Sequence, residues 1–582
     1  MAASPTPLHL KTRDRTCSAR QPNQTMNAAR ATSRMRLTIF GMLVLANSKG
    51  AIFVTMRTGL PRCFSVGGVS YRCNRTRVRP DRRTDVHRRR NATMNCRRNQ
   101  FGAAWKFCRN DHPSTLPLLI DRPRPMLDNQ RTYSMKILIA STPATGHLNP
   151  LLAIARILVA ENHEIAFLTG TAFRARIEAS GAQFFPLPEG ADFDLRDILS
   201  VVPELKSLPP GPDWLRTACE RIFVDSIPAQ NQGLYEALEH FQADIIIGDD
   251  MLFGIFPMLL GPREMRPPVV LCGTSFLHWE RDDGAPNFLG LPPASTEEQR
   301  QQYAVIAGEY DADVDQPVLR NLNRVLKSFG VGPLSKPMFH SVIEFADAYM
   351  QLSVPSFEFP RPFPSNVHFV GTPPIIPRQA PLPSWAQELD GSRKVVLVTQ
   401  GTVANHNLGL LIAPTLIGLA NEPDVLVVAT TGGRPVEAIP APVSSNARLA
   451  TYLPFEWLLP RVDVLVSNGG YGSVNQAMSF GIPLVTAGMT EDKADVNARV
   501  AWSGVGINLA TNEPTPDAIR EAVRTVLDRP AYRMRASRMA DEFADIDTRS
   551  EILRIISRLV DDREASRRIG TLEPGRGRRV AR

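Results

Sequence analysis

The sequence contains no run of about 18 consecutive apolar residues, the least that a membrane-spanning helix needs, so no spanning segment is expected. Cysteine is also scarce, with seven in 582 residues, and only Cys219 and Cys272 lie after residue 134. No Cys-x-x-Cys pair occurs, which argues against a zinc site, and two cysteines are too few for a disulfide framework. We therefore expect a cytoplasmic protein.

Three nucleotide-binding signatures are missing as well. The chain has neither the Gly-x-Gly-x-x-Gly fingerprint of dinucleotide coenzymes nor the P-loop with its lysine. No Asp-x-Asp pair follows a predicted strand, where it would hold a metal ion against a diphosphate. We therefore expect no dinucleotide coenzyme and no metal cofactor.

Charge is unevenly distributed along the chain. Residues 1–134 carry 26 Lys and Arg against six Asp and Glu, a balance of +20, whereas residues 135–582 carry 41 against 52, a balance of −11. Arginine runs can bind nucleic acid, and the apolar run from Leu37 to Ala46 could be the core of a signal peptide. We favour a disordered extension, or one translated from an incorrect start codon, with Met135 as the true start and no nucleic-acid partner.

After Met135 the pattern alternates between strands and helices. Lys136–Ala140 is a short apolar run typical of a buried parallel strand. A helix is predicted to open at Asn149 and Pro150, since proline suits a first helical turn. Further predicted strands in this half are Glu164–Thr169, Asp244–Gly248 and Val269–Cys272.

A proline-rich stretch divides this pattern into two halves. Five prolines lie between Gly371 and Pro383, and the alternation restarts at Lys394. This predicts an α/β fold of two doubly wound, Rossmann-like domains facing across a cleft. The predicted segments are an extension (1–134), an N-terminal acceptor-binding domain (135–372), a linker (373–392), a C-terminal nucleotide-sugar-binding domain (393–560) and a basic tail (561–582).

Ligands of such sheets bind at the carboxyl ends of the strands, where two groups of candidate residues fall. His147 follows the first strand and could act as a general base, kept neutral by the adjacent helix N-terminus. Asp249 or Asp250 follows another strand and could orient the imidazole. The alternatives are a hydrogen-bonded or capping histidine, and loop carboxylates that face solvent or cap a helix.

A glycine loop stands at the corresponding place in the second half. Asn468-Gly469-Gly470-Tyr471-Gly472-Ser473 lies between a strand and a helix, and backbone N–H groups there suit a diphosphate. Gly401-Thr402 ends another strand in the same way. The alternative is a tight strand-to-helix turn that simply requires small residues.

Together these motifs resemble the family-one nucleotide-sugar glycosyltransferases of the bacterial macrolide type, whose fold is called GT-B. The resemblance covers residues 135–560 and rests on Gly146-His147-Leu-Asn-Pro150 and on the block from Tyr452 to Asn497. It implies that His147 removes the acceptor proton and that Asp249 is its carboxylate partner. It also implies a donor-binding set of Thr402, Tyr452, Asn468, Gly469, Gly470, Gly472, Ser473, Gln476, Glu491 and Asp492.

Three positions depart from the family pattern. Asn468 stands where histidine is usual beside the diphosphate, and asparagine cannot carry charge. Gln476 replaces the usual ribose-binding glutamate, and Lys493 replaces a glutamine.

The expected reaction is an inverting transfer from a nucleoside diphosphate sugar to a hydroxyl of an apolar small molecule. The nucleotide sugar is a co-substrate and not a cofactor. Two other functions stay open, a nucleotide-sugar epimerase and a catalytically silent nucleotide-sugar-binding protein. We expect an acceptor pocket from residues 198–240 and 276–340, including Trp279, Phe288, Leu289 and Phe339; the sequence fixes neither the sugar nor the oligomeric state.

Overall fold

The computed structural model describes residues 134–571, apart from 194, 196–197, 210, 376–380 and 403–404, together with five short strands in the first 126 residues. Those strands are Arg36–Ile39, Met42–Ala46, Ile52–Met56, Ser65–Val66 and Val69–Ser70. The first three pair antiparallel, and so do the last two. The prediction of a disordered or mis-started extension otherwise lies outside the described residues and stays a prediction.

The first domain is built on a sheet of seven parallel strands, because its short apolar runs are buried on both faces. The spatial order is β7-β6-β5-β4-β1-β2-β3, so the chain reverses direction across the sheet between β1 and β4. The strands are β1 (Lys136–Ala140), β2 (Glu164–Thr169), β3 (Gln183–Pro186), β4 (Ile245–Asp249), β5 (Val269–Gly273), β6 (Ala348–Gln351) and β7 (Val367–Phe369).

Helices cover both faces of this sheet and form two separate apolar cores. Two π-helical turns interrupt the helical layer, one at Cys219–Val224 and one at Asp311–Asp315. The helices are α1 (Thr145–Ala160), α2 (Arg174–Glu178), α3 (Ile198–Val201), α4 (Pro212–Ala218), α5 (Ile227–Phe241), α6 (Phe256–Leu259), α7 (Glu297–Tyr310), α8 (Gln316–Ser328) and α9 (Met338–Phe345).

The second domain has a parallel sheet of six strands in the order β10-β9-β8-β11-β12-β13, with its reversal between β8 and β11. Its strands are β8 (Lys394–Thr399), β9 (Val425–Thr430), β10 (Ala447–Ala450), β11 (Val464–Ser467), β12 (Leu484–Thr486) and β13 (Gly506–Asn508). Its helices are α10 (Ile412–Gly418), α11 (Phe455–Leu458), α12 (Tyr471–Ser479), α13 (Lys493–Ser503), α14 (Pro516–Asp528) and α15 (Pro530–Ala544).

The last helix, α16 (Thr548–Thr571), returns to the first domain. Ile552, Ile555, Ile556 and Leu559 are buried in the same core as β1 and α1. The helix also runs past residue 560, where the sequence predicts a tail. Polar pairs one turn apart support this extra length, as between Arg568 and Glu564 at 3.2 Å. Residues 572–582 lie outside the described ones.

Two predicted element boundaries next to His147 and Asp249 are wrong, the start of α1 and the end of β4. Helix α1 begins at Thr145 rather than at Asn149, so Pro150 lies inside the helix and His147 in its first turn. Proline is accepted there because its missing N–H leaves only the carbonyl of Gly146 without its usual bond. Strand β4 ends at Asp249 rather than at Gly248, so this carboxylate is buried at a strand end and does not lie in a loop.

No helix among the described residues is long and apolar enough to cross a membrane.

Candidate active site

A cavity of about 830 Å³ is lined by residues of both domains. The loops that follow β1 and β4, and those that follow β8 and β11, flank the points where each sheet reverses its strand order. Loops leave such a point in opposite directions and open a crevice beyond the strand ends. His147 of the first domain and the glycine loop of the second both line this cavity.

His147 and Asp249 form a hydrogen-bonded pair. The imidazole Nδ1 lies 3.2 Å from Asp249 Oδ1, and the histidine side chain is 19% exposed. Asp249 does not line the cavity. Its carboxylate is fixed by hydrogen bonds that it accepts from the backbone and hydroxyl of Thr142 and from the backbone of Met251. With Nδ1 turned towards the carboxylate, Nε2 is the nitrogen left to meet a substrate.

Asp250 reaches the same imidazole through a hydroxyl. Thr274 Oγ1 lies 3.0 Å from His147 Nδ1 and donates to Asp250 Oδ1 at 2.8 Å. Tyr349 donates to the other Asp250 oxygen at 2.9 Å. Of the two candidate carboxylates, Asp249 is therefore in direct contact with the histidine, and Asp250 acts through Thr274.

The charges around His147 set its protonation. Burial alone would lower the pKa of His147, but the charge and hydrogen bond of Asp249, with the charges of Asp250 and Asp492, raise this pKa above its ordinary value. The predicted effect of the helix N-terminus, which would discourage protonation of the imidazole, is separate from these causes and stays a prediction. Burial and the neighbouring Asp249 charge raise the pKa of Asp250 to about 6.

His147, Asp249 and Asp250 are spaced closely enough to hold a metal ion. Ligand atoms of His147, Asp249 and Asp250 lie within 4.8 Å of one another. Their carboxylate oxygens, however, already accept hydrogen bonds from Thr142, Met251, Thr274 and Tyr349, and such bonds compete with metal coordination. The absence of a metal cofactor stays a prediction.

The glycine loop presents a helix N-terminus to the cavity. Gly470 precedes α12, whose first N–H groups have no acceptor within the helix. Gly469 has a φ of +93°, and a Cβ there would lie 1.9 Å from Asn497 Oδ1, so only glycine fits. The loop is thereby pressed against α13. The Gly469 N–H donates to Ser467 Oγ at 3.2 Å, so the N–H groups at the start of α12 are the ones that suit a bound anion.

Asn468 connects the two loops at the reversal of the second sheet. Its side-chain Nδ2 donates to the backbone oxygen of Gln400 at 3.0 Å. Gln400 and Thr402 follow β8 and line the cavity beside Asn468. The asparagine thus holds the loop that carries Thr402 against the glycine loop.

The acids at the start of α13 are held by both domains. Asp492 accepts a hydrogen bond at 2.8 Å from Ser275, which follows β5 of the first domain. Burial, more than the neighbouring charge of Glu491, raises the pKa of Asp492. Lys493 pairs with Glu491, and all three side chains line the cavity.

Most of the predicted site residues meet in this cavity. Tyr452 is 45% exposed and donates to the backbone oxygen of Gly432 at 3.1 Å, and Gln476 lies in the second turn of α12. Gly469 and Asp249 lie behind the wall. The predicted residues that line the cavity are His147, Thr402, Tyr452, Asn468, Gly470, Gly472, Ser473, Gln476, Glu491 and Asp492.

The apolar part of the cavity agrees only partly with the sequence-based expectation. Phe288 and Phe339 line it, but Leu289 is 37% exposed away from it, and Trp279 stacks on His340 with ring centroids 4.0 Å apart. Sequence reasoning also missed Thr274 and Ser275. Their signal was available, since they follow β5 at the same sheet edge as His147.

This architecture is similar to that of known proteins. Residues 416–559 match the family model described as erythromycin biosynthesis protein CIII-like, C-terminal domain. The calicheamicin glycosyltransferase CalG4 superposes with a TM-score of 0.55 at 22% identity, over 74% of this chain and 98% of that one. At this identity the similarity shows the fold, and it confirms the predicted pair of doubly wound domains of the GT-B type.

Sequence relatives define the family. The chain is 39% identical to 4'-demethylrebeccamycin synthase of Lentzea aerocolonigenes, over 73% of this chain and 99% of that protein. It is 35% identical to UDP-glycosyltransferase 2 of Phaeomoniella chlamydospora, over 72% and 95%. The fold and the site define a nucleotide-sugar-dependent transferase. The chain belongs to the family-one nucleotide-sugar glycosyltransferases, and these relatives do not support the epimerase alternative.

Proposed function

We propose that the protein transfers a sugar from a UDP- or dTDP-sugar to a hydroxyl of an apolar small molecule, with inversion at the anomeric carbon. One observation carries this proposal: His147, paired with Asp249, and the N-terminus of α12 line the same cavity. A base and an anion site that share one cavity can act on the two ends of a single displacement.

In the proposed step, His147 Nε2 takes the proton of the acceptor hydroxyl as the oxygen attacks the anomeric carbon. Asp249 keeps Nδ1 as a donor and stabilises the imidazolium that forms. The bond from the anomeric carbon to the diphosphate oxygen breaks on the opposite side, so the configuration inverts. The nucleoside diphosphate leaves with the bonding electrons.

The departing diphosphate is held without a metal in this proposal. Its negative charge meets the positive end of α12, the amides of the glycine loop and the hydroxyls of Thr402 and Ser473. By analogy with the family pattern, Tyr452 stacks on the nucleobase of the donor, Gln476 binds its ribose and Asp492 binds the hydroxyls of the transferred sugar. Glu491 pairs with Lys493 beside them.

The acceptor is proposed to be an apolar small molecule, because aromatic and aliphatic side chains dominate the wall beyond His147. The names of two similar proteins, 4'-demethylrebeccamycin synthase and the calicheamicin glycosyltransferase, also favour a small-molecule acceptor. A cytoplasmic location is proposed with it, because Cys219 and Cys272 are both buried free thiols.

The test is the anomeric configuration of the product. The protein is incubated with an α-linked nucleotide sugar and a panel of apolar aromatic alcohols, and the product is analysed by proton NMR. A β-linked glycoside supports the proposal, and an α-linked one contradicts the single displacement. Donor binding without any turnover would instead support the silent binding protein.

A further inference from the structure

One carboxyl group lies in the apolar wall of the cavity and takes no part in the reaction step proposed above. This wall comes from α4, α8 and the two π-helical turns between Cys219 and Val224 and between Asp311 and Asp315. Asp315 lines the cavity there, and most of its neighbours in the wall are apolar. They include Trp214, Leu215, Ile222, Phe223, Val314 and Val318.

The position of Asp315 follows from the irregular helix that carries it. It is the last residue of a π-helical turn joining α7 to α8, and α8 buries Val318, Leu319 and Leu322 in the domain core. A π turn inserts an extra residue and reorients those beside it, and such turns are frequent at functional sites. A regular helix through this junction would change which side chain faces the cavity.

Asp315 has no side-chain partner within the described part of the chain: it does not cap α8, and no hydrogen bond or ion pair joins its carboxyl group to another described residue. Burial, with a smaller contribution from the charge of Asp311, raises the pKa of Asp315 to about 7. Its own charge contributes to the raised pKa values of the neighbouring Cys219 and Tyr310, after their burial. An unpaired carboxyl in such surroundings is costly unless a ligand supplies a hydrogen-bond donor.

We propose that Asp315 binds a protonated amine of the acceptor, so that the preferred substrates are apolar molecules carrying a basic nitrogen as well as the hydroxyl that receives the sugar. This inference rests on the proposed function, since it takes the cavity to be the acceptor site. The apolar body contacts Phe223 and Phe339, the hydroxyl meets His147, and the ammonium group meets Asp315.

A cation is favoured over a neutral donor for two reasons. Hydrogen bonds between charged partners are shorter and stronger than neutral ones, and the benefit grows where water is excluded. Among the described residues, no lysine or arginine forms an ion pair with Asp315. Of the arginines that line the cavity, Arg156 is on α1 and Arg176 is on α2, where it donates to Asn149 Oδ1 at 2.5 Å.

The experiment compares matched acceptors on the full chain. Polycyclic aromatic alcohols are prepared in pairs that differ in one substituent, aminomethyl or hydroxymethyl, and KM and kcat are measured for each. For a pair that the wild-type protein glycosylates, the KM of the aminomethyl compound should be about tenfold lower than that of the hydroxymethyl compound. One charge-assisted hydrogen bond suggests a difference of this size. If the two KM values are equal in every pair that is glycosylated, the wild-type measurements alone overturn the proposal.

Two variants in the same π turn assign the effect to a residue. Asp315→Asn should remove the preference for the amine while leaving kcat and the KM of the hydroxymethyl compound within about twofold. Asp313→Asn changes an exposed carboxylate two residues before Asp315 and should change neither KM nor kcat. A preference that survives in Asp315→Asn would overturn the assignment. Absence of transfer to every alcohol would count against the proposed function instead, and donor binding measured alongside separates the two failures.

Discussion

At the scale of single residues, two adjacent carboxylates do different work on one histidine. Asp249 touches His147 Nδ1 directly, whereas Asp250 acts through the hydroxyl of Thr274. The Asp249 charge favours the imidazolium, so it raises the pKa of His147 and makes the imidazole a stronger base. The same charge makes activity fall at a higher pH on the acid side, because a protonated imidazole cannot accept a proton.

We predict that Asp249→Asn lowers the maximal rate and moves the acid limb of the kcat/KM profile to lower pH. The sign follows because removal of the charge leaves the opposing effect of burial in place, which lowers the pKa of His147. The loss in rate should be smaller than the roughly 10²–10⁴-fold loss typical of a missing general base. Asp250→Asn is the matched comparison and should cost less. A larger loss for Asp250→Asn would reverse the assigned roles.

Asn468 gives a second prediction at this scale. Asn468→Ala removes the hydrogen bond to the Gln400 carbonyl that joins the two loops at the donor side. The donor KM should rise about fivefold, as expected for the loss of roughly 1 kcal/mol, with the acceptor KM unchanged. Initial rates over a donor concentration series measure this. Unchanged donor KM would mean that this contact does not help to shape the diphosphate site.

At the scale of secondary-structure elements, the strands could be predicted well because short apolar runs bounded by turn residues are a strong local signal. Predicted and observed strands such as Lys136–Ala140 and Glu164–Thr169 coincide. The start of α1 was missed because Pro150 suits a first turn and is also tolerated slightly later. Thr274 directly follows a predicted strand, which was the available signal, but its contact with His147 also depends on β5 lying beside β4, and local sequence does not carry that neighbour relation.

The last helix was misjudged for a similar reason. Its apolar face is visible in the sequence, but nothing local indicates that it packs on the first domain. The polar pairs that extend it past residue 560 resemble those of an irregular charged tail. The π turn at Asp311–Asp315 could not be predicted either, since no sequence pattern distinguishes it from ordinary helix.

The return of α16 can be tested by a core substitution. Ile556 is fully buried between this helix and the first domain, so Ile556→Ala should lower the free energy of unfolding by about 2–5 kcal/mol. Urea unfolding followed by circular dichroism would show this as an earlier transition. Arg558→Ala, on the exposed side of the same helix, is the control and should have little effect. Equal midpoints for both variants would contradict the packing of α16.

At the scale of the whole molecule, the two domains are joined by buried polar contacts beside the cavity. Arg499 of α13 donates to Glu358 of the first domain at 3.0 Å and lies between the rings of Phe276 and Phe359. Gln351 donates to the Tyr471 hydroxyl at 2.5 Å, and Ser353 donates to Asn475. These contacts fix the glycine loop of one domain opposite the histidine of the other.

This arrangement predicts that no metal is needed. In the proposed donor site the diphosphate charge would meet backbone N–H groups and a helix end, and the oxygens of Asp249 and Asp250 are already hydrogen-bonded. Dialysis against EDTA should therefore leave the transfer rate unchanged. A loss of activity that added magnesium or manganese restores would contradict the account, and would direct attention to the group of His147, Asp249 and Asp250.

The central claim is that His147 is the base of a transferase whose donor site lies in the other domain. The most direct measurement compares wild type and His147→Ala in turnover and, by calorimetry, in nucleotide-sugar binding. The account predicts a loss in kcat of about 10²–10⁴-fold with donor affinity nearly unchanged. Turnover equal to wild type would remove His147 from the mechanism, and a parallel loss of donor binding would show that its role is structural.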